Sequence, residues 1–254
     1  MSRRAWIRAG IGVAGGLAVA ALAGWFFFLR DVAEPTTVGE AVTNFRGTEH
    51  GGASPVPAGV YVYRTDGFEK TDALTGVTHR YPKRSTITVT GDPCGVQMRW
   101  DVLEGRSTVW TFCIGSDGWA LASQDERHTF FGRTEHTDYA CTDSTVRPAG
   151  DVEGTTSPVS CATSDAEERG TARVVGHRRL GAGGREVPTV RLRKTSVYTG
   201  AIRGTSTYDF WLDRKTGVPV GVRMVSRTTN DSAVGDVHYE EVVMLRLVSL
   251  RPRR

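Results

Sequence analysis

The feature that most constrains this chain is an alternation of apolar and polar side chains that begins at Val60 and continues almost to the C-terminus. In one such run, the apolar residues Tyr208, Phe210 and Leu212 occupy every second position. Successive side chains of a strand point to opposite faces, so a period of two indicates strands with one apolar face. Turn sequences such as Asp213–Gly217 separate the runs, and no helical periodicity interrupts them. The chain is therefore predicted to be mainly β and antiparallel.

Strands with one apolar face restrict the architectures that can bury those faces. They require a single curved or closed sheet around one core, or two sheets packed together. We predict one domain over residues 60–254, built as a single curved antiparallel sheet that resembles a half-barrel. A β-sandwich is the alternative.

The N-terminal part of the chain has the composition of a membrane span. No charged side chain occurs in Ala9–Leu29, and a helix of roughly 21 residues crosses about 30 Å of hydrocarbon. Three arginines precede this run, so the positive-inside rule places the N-terminus in the cytoplasm and the rest of the chain outside. Residues 1–30 are thus predicted to be a cytoplasmic stub and a single-pass anchor in the cell membrane. A cleaved secretory signal is the alternative, and it too would export the domain.

Residues 31–59 are predicted to form a short helix and a linker. Thr37 and Glu40 stand three residues apart, which is the capping-box pattern of a helix N-terminus. Apolar residues then recur at helical spacing to about Arg46. Gly47–Gly59 is rich in glycine and proline, which is typical of a linker.

The four cysteines, Cys94, Cys113, Cys141 and Cys161, form an even set in a compartment predicted to be oxidising. Four cysteines allow three pairings, between which the sequence alone does not choose. Local geometry favours Cys94–Cys113, which brackets a hairpin, and Cys141–Cys161, which closes a loop with almost no apolar content. A zinc site would need clustered Cys or His ligands, and the spacing provides none. We therefore expect two disulfides and no metal site.

One stretch of the sequence resembles a known family. The sequence "YDFWLDRKTGVPVGVRM" combines an aromatic strand, Asp-x-x-Thr-Gly and a returning Val-Pro-Val strand. It resembles an element of exported half-barrel proteins, the lipoprotein carriers and lipoprotein-lipid transporters, and the preceding "VVGHRRLGAGGREVPTVRLR" is similar to their previous strand pair. The resemblance covers about the last third of the chain. It implies a strongly curved sheet whose concave face holds an acyl chain or another apolar ligand.

The sequence leads to a functional hypothesis without a reaction. We expect a membrane-tethered extracytoplasmic binding module for a lipid or another apolar ligand. The alternative is a structural or regulatory interaction domain of a cell-envelope complex, with a membrane protein as partner. The same aromatic residues are also what a sheet core requires. The hypothetical ligand groove is lined by Trp100, Trp110, Phe112, Tyr208, Phe210 and Met224.

Catalytic and nucleic-acid functions find little support in the sequence. No Gly-x-Ser-x-Gly elbow, phosphate loop or His-Glu-x-x-His pair occurs, so we expect no enzyme and no cofactor. His128 and His136, near Glu135 and Asp138, are the best candidates for metal binding or acid–base chemistry. The pair Glu240–Glu241 cannot act at one site, because neighbours on a strand point to opposite faces. The net charge of +4 is modest, and an exported domain has no nucleic acid to bind.

Overall fold

The computed structural model describes residues 33–48, 54–74, 76–232 and 235–254. These residues form one α-helix, α1 (Val38–Gly47), a short 3-10 helix (Ala149–Asp151) and a set of antiparallel strands, so the prediction of a mainly β chain is confirmed. The strands are β1 (Gly59–Thr71), β2 (Val77–Arg80), β3 (Arg84–Asp92), β4 (Gly95–Leu103), β5 (Arg106–Gly115), β6 (Gly118–Phe130), β7 (Arg133–Thr142), β8 (Thr145–Pro148), β9 (Thr156–Ala162), β10 (Ala166–Ala182), β11 (Arg185–Gly200), β12 (Ile202–Asp213), β13 (Pro219–Asn230) and β14 (Val237–Leu247).

The sheet closes on itself. Its order runs from β14 down to β9 and then through β7, β6, β5, β4 and β3 to β1. β1 also pairs with β14, in a register that extends from Tyr63 opposite Leu247 to Thr71 opposite Tyr239. Twelve strands therefore form a closed barrel, and β2 and β8 pair with β1 and β6 beside the main path.

The predicted half-barrel is wrong, and so is the alternative of a β-sandwich. Both leave sheet edges unpaired, whereas here the first and last strands of the ring hydrogen-bond to each other. The physical reason lies in the pattern itself. An alternating strand needs one covered face, and a closed ring covers that face as well as an open curved sheet does.

Both predicted disulfides are confirmed. Cys94–Cys113 joins β4 to β5 at the end of their hairpin, and Cys141–Cys161 joins paired positions of β7 and β9. Asp213 is a turn residue, as the sequence suggested. Its carboxylate accepts hydrogen bonds from the Lys215 N–H (3.1 Å) and the Thr216 hydroxyl (2.6 Å) at the β12–β13 connection.

The predicted capped helix is confirmed in α1. The Thr37 hydroxyl accepts a hydrogen bond from the Glu40 N–H, and the Glu40 carboxylate accepts one from the Thr37 N–H at 2.7 Å. The helix packs on the outside of the barrel, where Ala41 and Phe45 bury Val60. The predicted anchor, Ala9–Leu29, lies outside the described residues. Within the part of the chain that the structure describes, no helix has both the length and the apolar character that a membrane crossing needs.

The segment before α1 is tied to one end of the barrel. Pro35 forms an isolated β-bridge with Leu103, the last residue of β4. The Glu104 N–H donates to the Glu34 carbonyl at 2.9 Å, and the Thr36 N–H donates to the Val102 carbonyl at 3.3 Å. The chain therefore reaches the barrel at the β4–β5 turn.

Most of the apolar core fills the other end of the barrel. Its members are buried residues from nearly every strand, including Tyr61, Ile87, Met98, Trp110 and Leu245. At the barrel end that carries the β4–β5 turn, the interior contains buried charged and polar side chains. The candidate site lies at this end.

Candidate functional site

The inward-facing side chains change character along the barrel axis. On β14, Leu247, Leu245 and Val243 belong to the apolar core, whereas Glu241 is buried among charged groups and Tyr239 lines a cavity. The other long strands follow the same order. The interior thus has three levels: an apolar core, a charged belt and an open cavity. The belt consists of Glu69, His79, Arg106, Gln124, Glu126, His128, Glu168, Lys194 and Glu241, with the hydroxyl groups of Tyr81, Tyr208 and Tyr239.

Glu69 of β1 is the centre of the belt, and its side chain is 1% exposed. His79 Nδ1 lies 2.9 Å from Oε1, and His128 Nδ1 lies 3.2 Å from Oε2. The Tyr239 hydroxyl donates to Oε2 at 3.3 Å, and Arg106 Nε stands 3.8 Å away. Four side chains from four strands therefore converge on one buried carboxylate.

Arg106 is fully buried and joins β5 to β14 across the barrel. Its Nη2 donates to Oε2 of Glu241 at 2.8 Å, and its Nε donates to Oε1 at 3.3 Å. Its Nη1 donates to the Thr108 hydroxyl at 2.7 Å, and the guanidinium stands 5.3 Å from the ring centre of Trp100. Tyr81 donates a short hydrogen bond to the same carboxylate of Glu241. Nearly every polar atom of this buried pair is thus partnered, which a charge away from water requires.

A second chain of contacts continues the belt toward β10 and β11. Gln124 Nε2 and the Tyr208 hydroxyl donate to Oε1 of Glu126 at 2.7 and 3.1 Å. Lys194 Nζ donates to Gln124 Oε1 at 3.1 Å and to Glu168 Oε1 at 2.5 Å. The ammonium group also stands 4.9 Å from the ring centre of Tyr208. The belt therefore crosses the whole barrel from β2 to β10.

The electrostatics of the belt keep two of its carboxylates, Glu69 and Glu126, ionised. Burial alone would raise the pKa of Glu69, but hydrogen bonds from His128 and His79 outweigh it and lower that pKa to about 2. Burial likewise opposes the charged form of Glu126, whose pKa falls to about 2 because of His128 and Arg106. Burial and Arg106 disfavour a charged His128, yet the two neighbouring glutamates raise its pKa above the ordinary value. The belt is thus a set of charges that stabilise one another.

A cavity of about 320 Å³ lies between the belt and the open end of the barrel. Its floor includes Glu126 and His128, and its wall and mouth carry large apolar side chains. These apolar residues are Leu74, Phe130, Phe131, Ile202 and Val237. The site therefore combines an apolar wall with a charged floor.

Two buried polar atoms of this cavity have no partner among the residues that the structure describes. They are the hydroxyl of Tyr139, a residue 2% exposed, and Oδ1 of Asn230. An unsatisfied buried polar group costs about 1–3 kcal/mol, so native structures usually supply a partner. A bound molecule with polar groups of its own could supply a partner to either atom.

The six residues predicted to line a ligand groove lie in the apolar core and around the belt, below this cavity. Five of them are buried, and Phe210 is partly buried against Trp110 at a ring-centre distance of 5.6 Å. The space beside Trp110, Phe112 and Phe210 is a void of about 30 Å³, room for about two water molecules. In this structure the six side chains lie in or against one apolar core cluster, and their role in ligand binding stays a prediction.

The structure separates the two candidate histidines. His128 faces inward with Glu135, its cross-strand partner, whereas His136 faces outward and lies 2.5 Å from Asp125. Asp138 lines the same outer surface as His136. No group of three or more His, Cys, Asp or Glu residues with the geometry of a metal site occurs among the described residues. The two histidines therefore cannot serve one centre.

The charged belt was missed at the sequence level, although a signal for it exists. Glu241 is in the same alternating series as Val243 and Leu245, and Lys194 is in the same series as Val190 and Leu192. Each charged side chain therefore lies on the apolar face of its strand. A charge in an apolar row is informative, because ionised residues are almost never buried without a partner. Glu240, the neighbour of Glu241, points outward to Arg227, as the strand geometry predicted.

Comparisons with known proteins give few matches. No protein-family model matches the chain, and neither does any curated protein. Among solved structures, the chain is similar to the hypothetical lipoprotein YmcC from Escherichia coli (K12), with 12% sequence identity and a TM-score of 0.35. The match covers 82% of this chain and 96% of that chain, so it extends well beyond the last third that carries the sequence resemblance. A likeness at this TM-score supports no argument about function.

Proposed function

We propose that this protein is a binding module, and that it takes a small amphipathic molecule, such as a lipid or lipid-like compound, into the cavity at the open end of the barrel. The observation that carries the proposal is the cavity itself, about 320 Å³ between an apolar wall and a charged floor. Sites for small molecules are concave, mostly apolar and about 300–1,000 Å³ in volume, with a few polar groups that fix orientation.

The composition of the cavity suggests how such a ligand lies. Phe130 and Phe131 offer apolar surface near the mouth, which suits a hydrocarbon or ring system. The unpartnered Tyr139 hydroxyl and the ionised Glu126 offer one donor and several acceptors deeper inside, and Asn230 Oδ1 offers another acceptor nearer the mouth. The ligand is therefore expected to carry a hydrogen-bond donor, such as a hydroxyl, amide or amine, at its inner end.

We propose further that the domain works outside the cytoplasm on a membrane anchor. All four cysteines are paired, which is typical of proteins from oxidising compartments. The uncharged run Ala9–Leu29 supplies the anchor in this proposal. A tethered module would hold its ligand at one membrane.

Native mass spectrometry of the full chain, released from membranes in mild detergent, tests the binding proposal. Solvent extraction then identifies any molecule retained. Thr228→Trp places a large side chain in the cavity wall and is expected to abolish retention. Arg227→Trp is the matched control, because the preceding residue on β13 points outward and is expected to leave retention unchanged.

The outcomes separate binding from a structural role. A molecule retained by the control and lost from Thr228→Trp supports the cavity as its site. A molecule retained equally by both variants places the site elsewhere and contradicts the proposal. An empty native protein also contradicts it and favours the structural or regulatory alternative.

A further inference from the structure

The cavity mouth and the N-terminal segment lie at the same end of the barrel. The mouth is formed by the β1–β2, β6–β7, β11–β12 and β13–β14 connections. The β4–β5 turn belongs to this end as well, because Ser107 pairs with Arg127 shortly before the β6–β7 turn. Pro35 is bridged to Leu103 at that turn. The N-terminal segment is therefore attached to the barrel beside the opening of the cavity.

The length of chain outside this attachment limits how far the mouth can lie from a membrane. Leu29 ends the uncharged run, and Ala33 is the first described residue. Four residues span at most about 14 Å when fully extended. The opposite end is much farther away, since the 12 residues of β12 extend about 40 Å along the strand and about 30 Å along the axis of a tilted barrel.

Two turns at the mouth carry large apolar side chains where glycine would be easier to accommodate. Leu74 has a φ of 55° and Phe131 a φ of 52°, both in the left-handed region. Bulky residues are rare in this region, and such outliers concentrate at functional sites. The Leu74 side chain is also among the most exposed large apolar side chains of the described chain, at 60%. The first turn thus presents an exposed apolar side chain at the mouth, and Phe131 adds a half-buried apolar side chain that lines the cavity there.

We infer that the cavity mouth faces and contacts the lipid surface of the membrane in which this chain is anchored, so that the ligand passes between bilayer and cavity without crossing water. The inference rests on the anchor and the cavity of the proposed function. Its partner is the outer leaflet, and its contact residues are Leu74 and Phe131. Exposed apolar side chains beside a short tether are what an interfacial contact requires.

Photocrosslinking of the full chain in vesicles of phosphatidylglycerol and phosphatidylethanolamine tests this orientation. The photoreactive residue p-benzoylphenylalanine replaces Phe131 in one variant and Leu74 in a second, so that a folding defect in one leaves the other informative. The matched control carries it in place of Lys215, an exposed turn residue at the opposite end. Lipid adducts are expected from both mouth positions and none from Lys215, as detected by mass spectrometry.

An alkaline carbonate wash and the binding assay distinguish a failure of the proposed orientation from a failure of the anchor and from a failure of ligand binding. Adducts from Lys215 equal to those from the mouth would overturn the orientation, because the barrel would then lie on its side or point away. A chain extracted by the wash has no anchor, and this too overturns the inference, although the cavity could still bind a ligand in detergent. Mouth adducts from a protein that retains no ligand would uphold the orientation and refute the binding function alone.

Discussion

The substitution Arg106→Met tests whether the charged belt holds the barrel together. Arg106 is fully buried, and its loss leaves Glu241 as a buried carboxylate without its cation. Breaking a buried ion pair from one side costs about 3–5 kcal/mol of the free energy of unfolding. In a domain of this size each kcal/mol lowers Tm by about 2–4 °C, so we expect a decrease of about 6–20 °C. Differential scanning calorimetry and urea denaturation measure both quantities.

Arg99→Met is the matched control for this experiment. Arg99 Nε lies 2.8 Å from Asp101 Oδ1, the same distance as in the buried pair, but the Arg99 side chain is 47% exposed. Exposed pairs contribute about 0–1 kcal/mol. Adding Glu241→Gln to Arg106→Met removes the uncompensated charge and is expected to restore part of the loss. If Arg106→Met costs no more than Arg99→Met, the belt does not stabilise the fold as described.

Three further predictions concern the belt and the cavity. The folded-state pKa values of Glu69 and Glu126 lie below the unfolded value. Their joint contribution to the free energy of unfolding, on the order of a few kcal/mol, is therefore complete above about pH 4.5 and is lost toward about pH 2. The pKa of His128 is raised, so its contribution is complete below about pH 6.5 and is lost as the pH rises through the folded value; urea denaturation over a pH series should show a maximum between these limits. Tyr139→Phe removes an unpartnered hydroxyl and is expected to leave Tm unchanged or higher while weakening ligand retention in native mass spectrometry; a clear loss of Tm would show that the hydroxyl has a partner. Phe131→Gly relieves a left-handed backbone and should keep or raise the free energy of unfolding by up to about 1 kcal/mol, and a marked decrease in denaturation experiments would mean that Phe131 packs as a core residue.

Much of the local structure could be predicted from the sequence, because it depends on neighbouring residues. The parity of Tyr208, Phe210 and Leu212 is enough to predict a strand, and Thr37 with Glu40 is enough to predict a capped helix. Ring closure depends on residues far apart in the chain. No residue pattern within β1 or β14 indicates that these two strands pair with each other. An open curved sheet is therefore as consistent with the sequence as a closed barrel.

In the candidate site, too, the local features could be predicted from the sequence and the long-range contacts could not. Parity alone places Glu241 and Lys194 on inward faces. The alternating pattern does not identify the partner of each charge. Arg106, the partner of Glu241, and Glu168, the partner of Lys194, are placed beside these charges by the fold of the sheet. The six residues of the predicted groove lie in or against the apolar core, and their role in ligand binding stays a prediction, because a strand pattern does not distinguish a filled end of a barrel from a hollow one.

The pairing of β1 with β14 also has a consequence for biogenesis. Tyr63 pairs with Leu247, far along the chain, so the ring cannot close until β14 has been synthesised. Contacts this distant in sequence form slowly, and until they form, the edge of β1 is free to pair with other chains. A chain truncated before β14 would lack this closure, and an intermediate with an unpaired β1 edge would be a natural substrate for chaperones that protect unpaired strands.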